Sequence, residues 1–207
     1  MATLRELRTR VSSIGNIQRV TNAMQMVAAA KMRRAQESIE AARPYAIMLD
    51  RVLSRLCSGA EATSNPLLAE PAGERTLFVV ITSDRGLCGA FNGAICRQAS
   101  TSWSEAGDPA GIITIGRKGR DFFNSRSYEL LHHHADVFGA LEFSRAMQIG
   151  QDLMRRFTEG KADRIVIVFS EFRSVAQQMP VAVQVLPIPP AESTAEEGVR
   201  DYIFEPN

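Results

Sequence analysis

Apolar residues recur along the first quarter of the chain at steps of three or four. They are Leu4, Leu7, Val11, Ile14, Ile17, Val20, Met24, Ala28, Met32, Ala35, Ile39, Ala42, Ala46, Leu49, Leu53 and Leu56. The mean step is about 3.5, the period of a coiled coil and below the 3.6 of a straight helix. Three steps of three surround Ile17 and three steps of four join Val20 to Met32, irregularities that change the local supercoil. Pro44 falls inside the stretch, but the apolar phase continues beyond it. The pattern predicts one kinked helix from residue 3 to residue 56, about 80 Å long. Such a helix cannot bury its stripe on a domain of the size that remains, and propensity alone holds a helix weakly. No second sustained heptad pattern occurs in residues 57–207. The stripe therefore needs a partner helix or a sleeve, from another polypeptide or from a part of this one outside the present sequence.

Past residue 57 the period changes. Gly59, Asn65, Pro66, Pro71 and Gly73 mark residues 57–74 as a linker. Thr76–Thr82 is a β-branched, aromatic run and reads as a buried strand, followed by a loop over 83–92. Residues 92–105 read as a helix with Ile95, Ala99 and Trp103 in phase, and 111–115 as a second strand. Gly116–Gly119 reads as a turn and 120–124 as the opening of a short helix. Residues 142–158 form an amphipathic helix pattern with Phe143, Ala146, Ile149, Leu153 and Phe157 on one face. Two more strands follow, at 164–170 and at 180–186; the latter starts at a proline, which suits an edge or hairpin strand. Alternating strands and helices imply an α/β fold: a long N-terminal coiled-coil helix attached to a small, mostly parallel sheet domain. The expected organisation is a shaft over 1–56, a linker over 57–74, a globular part over 75–190 and a connection over 191–207.

Composition narrows the function classes. With 207 residues, 45% apolar and 23% charged, the chain is of ordinary globular type. Its apolar runs are too short to span a bilayer, and Arg5, Glu6, Arg8 and Arg10 interrupt any signal-peptide core. Three cysteines without CxxC spacing argue for a reducing compartment and against a zinc site. The net charge of +1 hides an asymmetry: residues 1–43 carry eight Lys/Arg against three acidic residues. A basic helix suits an acidic partner or a solvated face equally well.

Candidate chemistry is sparse. The segment Ser83-Asp84-Arg85-Gly86-Leu87-Cys88-Gly89 follows a strand, where open α/β sheets often bind ligands, but it matches neither GxGxxG nor a P-loop. A tight turn with Asp84 capping backbone amides is the favoured reading. Gly116-Arg117-Lys118-Gly119-Arg120 carries three cations and reads as an exposed basic turn; an acidic or head-group surface is a secondary reading. His132, His133 and His134 are the only histidines. At most His132 and His134 share a strand face for a metal, and an exposed polar stretch is favoured. No base stands near Cys88 in sequence, and no GxSxG elbow occurs. No catalytic constellation emerges. The Met24–Gln36 segment combines soft methionines, slim alanines and terminal cations, suiting either an ordinary coiled coil or a shaft turning inside a protein sleeve.

Arg10-Val11-Ser12-Ser13-Ile14, Asn16–Met24 and Met26–Gln36 closely resemble the N-terminal helix of the γ subunits of F-type ATP synthases. Ser83–Asn92, Gly116-Arg117-Lys118-Gly119 and Phe204-Glu205-Pro206 resemble the same family, in order, over the whole chain. Ala90 stands where a second glycine is usual, Asn22 where a charged residue is common, and Phe204 where tyrosine is frequent. The family continues past Glu-Pro into a second helix antiparallel to the first, whereas this sequence stops at Asn207.

The resemblance implies a central-stalk rotor that couples transmembrane proton flow to ATP synthesis or hydrolysis at the αβ hexamer. It implies no catalytic site, cofactor or metal in this chain. The implied partners are the α and β subunits, the ε subunit and the c ring, with no nucleic acid and only indirect membrane association. The implied location is peripheral, on the cytoplasmic face of an energy-transducing membrane. By position, Met24, Lys31 and Arg34 would meet acidic loops of β. Phe204 and Glu205, with Arg85 and Lys118, would meet the c ring or ε. The rivals are a small α/β nucleotide-binding protein with a coiled-coil extension, and a nucleic-acid or membrane-surface binder. The lack of interleaved aromatics in residues 1–43 speaks against stacking on nucleic acid.

Overall fold

The computed structural model describes residues 3–57, 65–68, 73–139 and 142–189. The chain divides into two compact units on either side of Leu53.

The first unit is a single helix, α1 (Leu4–Cys57), continuous through Pro44. Its start is a capping box. The Thr3 hydroxyl accepts from the Glu6 amide at 3.3 Å, and Glu6 Oε2 accepts from the Thr3 amide at 2.9 Å. Arg33–Glu37 and Gln36–Glu40 pairs, at 3.0 and 2.9 Å, brace the middle across single turns. The stripe stays open: Val11 is 70% exposed, Ile14 and Ile17 64%, Met24 59%.

The second unit is a five-stranded sheet in the order β3-β2-β1-β4-β5. The strands are β1 (Arg75–Ile81), β2 (Asp108–Ile115), β3 (Leu130–His134), β4 (Arg164–Phe172) and β5 (Gln178–Leu186). The first four pair in parallel, and β5 is an antiparallel edge on β4. The helices are α2 (Phe91–Glu105), α3 (Arg117–Asn124) and α4 (Phe143–Thr158). β1 alternates between two cores. Phe78 and Val80 pack with Ile95, Cys96 and Ala99 of α2 and with Phe123 of α3. Leu77 and Val79 join Ile113, Ile115 and Ile165 with Leu153 and Phe157 of α4. Burial on both faces explains why Leu77–Ile81 of β1 is an unbroken apolar run instead of an alternating one.

The structure corrects three local expectations. Gly116–Gly119 is no free turn, because α3 begins at Arg117. The histidine stretch is an edge strand, β3, so the sheet has one strand more than the pattern shows. On α4 the core-facing stretch starts later than the pattern predicts: Leu153 and Phe157 are buried and Ile149 is partly buried against the core, whereas Phe143 is 82% exposed. Within 57–74, residues 65–68 form a turn closed by the Asn65 side chain, and the Ile188 amide donates to the Leu67 carbonyl at 3.3 Å. The expected connection over 191–207, with Phe204 and Glu205, lies outside the described residues.

A clamp joins the starts of β1 and β4. Arg75 Nε and Nη2 donate to the two Asp163 oxygens at 2.9 and 3.1 Å, and the Arg75 amide donates to Oδ2 at 3.0 Å. Hydrogen bonding from the Arg75 side chain holds the Asp163 carboxyl below the usual carboxylate range. A depressed folded value means that the clamp's contribution is complete above the unfolded value, about 3.9, and is lost as pH falls through the folded one. Asp163→Asn is expected to lower the melting temperature at pH 7, with the gap to the parent closing below about pH 4. Melting curves at stepped pH test this; a gap unchanged down to pH 2 refutes it.

Candidate functional site

Two separate sets of residues came forward from the sequence, one in each unit. On α1, Met24 and Lys31 stand seven residues apart and Arg34 three further on, so all lie within one side of the helix over about 15 Å. All three are exposed. Among the described residues, neither Lys31 nor Arg34 forms an ion pair, so both cations stand free next to the open stripe.

In the sheet unit, the loop after β1 and the start of α3 form one assembly at the carboxyl ends of β1 and β2. Three consecutive residues cap three consecutive amides. Asp84 Oδ1 accepts from the Arg117 amide at 3.1 Å, the Ser83 carbonyl from Lys118 at 3.1 Å, and Thr82 Oγ1 from Gly119 at 2.7 Å. Asp84 also accepts from the Asp136 amide at 3.3 Å and pairs with Arg117 Nε at 3.8 Å; Arg117 Nη2 reaches Asp136 Oδ1 at 2.7 Å. A helix N-terminus after a strand is the place where α/β proteins hold phosphate. At α3 a carboxylate of the chain itself fills it. Arg117 of the GRKG segment thus serves a capped helix start, and the three amides that could hold a phosphate there are already satisfied.

Asn92 shapes the other half of the loop. Its Oδ1 accepts from the Ser83 amide at 2.9 Å, while Nδ2 donates to Ser83 Oγ at 2.9 Å and reaches Cys88 Sγ at 3.0 Å. The tip projects: Leu87 adopts φ +62° and is fully exposed. The Lys118 stem runs against Gly86, with Cε 3.7 Å from where a Cβ would stand. The structure therefore brings Arg85 and Lys118 into one patch, which sequence separation concealed. It also adds Asp136, which local pattern reading did not single out, and gives Arg117 and Asn92 partners that the pattern did not show. The exposed Cys88 thiol has the Asn92 amide and the Arg85 carbonyl as its hydrogen-bond partners, and no base among them. Among the described residues, no group of three or more His, Cys, Asp or Glu is placed to hold a metal.

With this geometry in place, comparison with known proteins identifies the kind of chain this is. The family model described as ATP synthase matches residues 3–207. The ATP synthase gamma chain of Desulforamulus reducens is 41% identical over the whole of this chain and 73% of the relative. That of Prosthecochloris aestuarii is 42% identical, with the same coverage. Among solved structures, the central stalk and c-ring of the Tetrahymena thermophila mitochondrial ATP synthase matches 81% of this chain and 72% of its counterpart. The TM-score is 0.68 and the identity 25%. The rotor of the Euglena gracilis enzyme, at 18% identity and TM-score 0.54, shares the fold. A match along nearly the whole length, with relatives above two-fifths identity, places the chain in the ATP synthase γ chain family.

Proposed function

We propose that the chain is the central-stalk rotor of an F-type ATP synthase, coupling rotation driven by ion flow to catalysis carried out on other subunits. It is a non-catalytic subunit. The observation that carries this reading is α1: a 54-residue helix whose apolar stripe is exposed along its length, in a chain of γ ancestry. A stripe of that length contributes little stability while solvated, so its purpose lies in contact with other protein surface. Partners among the catalytic head and the ring follow from the ancestry. The finer assignment is that Met24, Lys31 and Arg34 meet acidic loops of β, while Arg85 and Lys118, with Phe204 and Glu205, meet the c ring or ε. In this reading residues 1–56 act as shaft and 75–190 as the globular part. No helix among the described residues is long and apolar enough to cross a membrane, which supports a peripheral placement. The cytoplasmic face and proton coupling belong to the same proposal.

One asymmetric shaft in contact with three equivalent sites can hold them at three affinities, because contact differs at each; that difference is the coupling free energy. Mixing the chain with purified α and β subunits, resolving the products by size and assaying ATP hydrolysis tests the role. Co-elution as a hexameric complex supports it; a chain that stays apart, alone and with a second γ helix supplied in trans, overturns it. Lys31→Glu places an acid against the proposed acidic loops and is expected to reduce ATP-driven proton pumping. Unchanged pumping in the assembled variant would remove Lys31 from the contact.

A further inference from the structure

We propose that His132 and His134 form a two-imidazole chelate for a divalent transition-metal ion of the Cu²⁺ or Ni²⁺ type, on the open edge of the sheet. β3 pairs only with β2, so its other edge is free among the described strands. Residues two apart on a strand share a face. The two rings are 4.5 Å apart between centres and inclined at 69°. His133 points the other way, where its Nδ1 lies 3.1 Å from Thr114 Oγ1, and it takes no part.

Imidazole donors suit Cu²⁺ and Ni²⁺, and the ring separation is compatible with one such ion between them. A metal about 2.1 Å from an imidazole nitrogen lies about 3.2 Å from that ring's centre. Two rings bound at about 90° then have centres about 4.5 Å apart, and at the tetrahedral angle about 5.2 Å. The observed 4.5 Å is within reach of a shared ion after small ring rotations, and a cis arrangement is one that Cu²⁺ and Ni²⁺ favour.

His132 is exposed and His134 half-buried, so an ion can reach both rings. The charged groups facing His134 from α4 are Asp152 and Arg145, of opposite sign. Asp152 is held by Arg155 and Arg156, and Arg145 donates to the Ala135 and Asp136 carbonyls at 3.4 and 3.3 Å. His134 also lines a cleft of about 270 Å³ with His133, Arg145, Gln148 and Ile149. Among the described residues no third His, Cys, Asp or Glu joins the pair, so water would complete the coordination and the ion would exchange readily.

Titration of the full chain with Cu²⁺, followed by electron paramagnetic resonance and by calorimetry against a glycine competitor, tests the proposal. One ion per chain is expected, with a superhyperfine pattern from two imidazole nitrogens. His132→Asn and His134→Asn are each expected to weaken binding at least about tenfold, equivalent to about 1.4 kcal/mol, while His133→Asn leaves it intact. Far-UV circular dichroism of His132→Asn, a change at an exposed position, checks the fold. A parent chain without the two-nitrogen signal, a His132→Asn chain that binds like the parent, or a loss caused by His133→Asn each overturns it.

Discussion

Gly116→Ala is expected to destabilise the sheet unit by about 3 kcal/mol or more, and to lower its melting temperature by about 10 °C. Two costs combine at this residue. Its φ of +97° lies where side chains are strained. Independently, an added Cβ would stand 2.1 Å from the Thr82 carbonyl oxygen, a backbone atom with no rotamer to escape into. Relief requires β1 and the start of α3 to separate. That separation breaks the caps that Thr82, Ser83 and Asp84 place on Gly119, Lys118 and Arg117. Gly89→Ala is the matched control. Its φ is +58°, and nothing lies within 4 Å of the added atom, so only the backbone cost of about 1 kcal/mol remains. Urea unfolding of both variants separates the effects. Equal losses would mean that close approach at Gly116 is easily relieved and the capped junction is soft.

The second large effect belongs to α1. Ile17→Asp combined with Val20→Asp is expected to leave the melting of the sheet unit unchanged and to abolish assembly with α and β. Both side chains are solvated in the chain alone, at 64% and 59% exposure, so their loss removes no contact there. In an assembled rotor each would be covered, and burying an Ile or Val contributes about 1.5–3 kcal/mol. Replacing them also places two carboxylates in an apolar seam, which costs further unless they protonate or reorient. Together the changes exceed about 6 kcal/mol, a factor above about 10⁴ in affinity. Gln18→Asp, off the stripe, controls for added charge. Size-exclusion profiles of the three mixtures give the answer; a double variant that co-elutes like the parent would end the view that this stripe is a contact surface.

What could be read from the chain depended on how local its cause was. α1 was legible because its period is written residue by residue, and β1 and β4 because Leu77–Ile81 and Ile165–Phe169 are unbroken apolar runs, rich in β-branched residues, with core on both faces. β3 was concealed. Three of its five residues are histidines, and a five-residue edge strand with a polar face resembles a loop. The start of α3 was misplaced because its caps lie 33 to 37 residues upstream, at Asp84 and Thr82. A pattern confined to neighbours cannot report such partners, so Arg117 looked like a turn residue. The proximity of Lys118 to Gly86 was hidden for the same reason. The Phe143 end of α4 is in phase with Phe157 but exposed, because amphipathic phase tells which residues share a face and not how far a neighbouring surface extends.

The strand order also sets a timetable for folding. β1 is the central strand, yet one of its two neighbours, β4, is reached only after an excursion through β2 and β3; the Arg75–Asp163 clamp spans 88 residues. At synthesis rates of about 5–20 residues per second, β1 therefore waits roughly 4–18 seconds with one edge unpaired. Until β4 and its hairpin partner β5 emerge, the Leu77–Ile81 run has half its ladder open beside an incomplete core. The nascent chain is then most exposed to mispairing with a neighbour on the same message, and most in need of a holding chaperone. The arrival of β4 closes that interval.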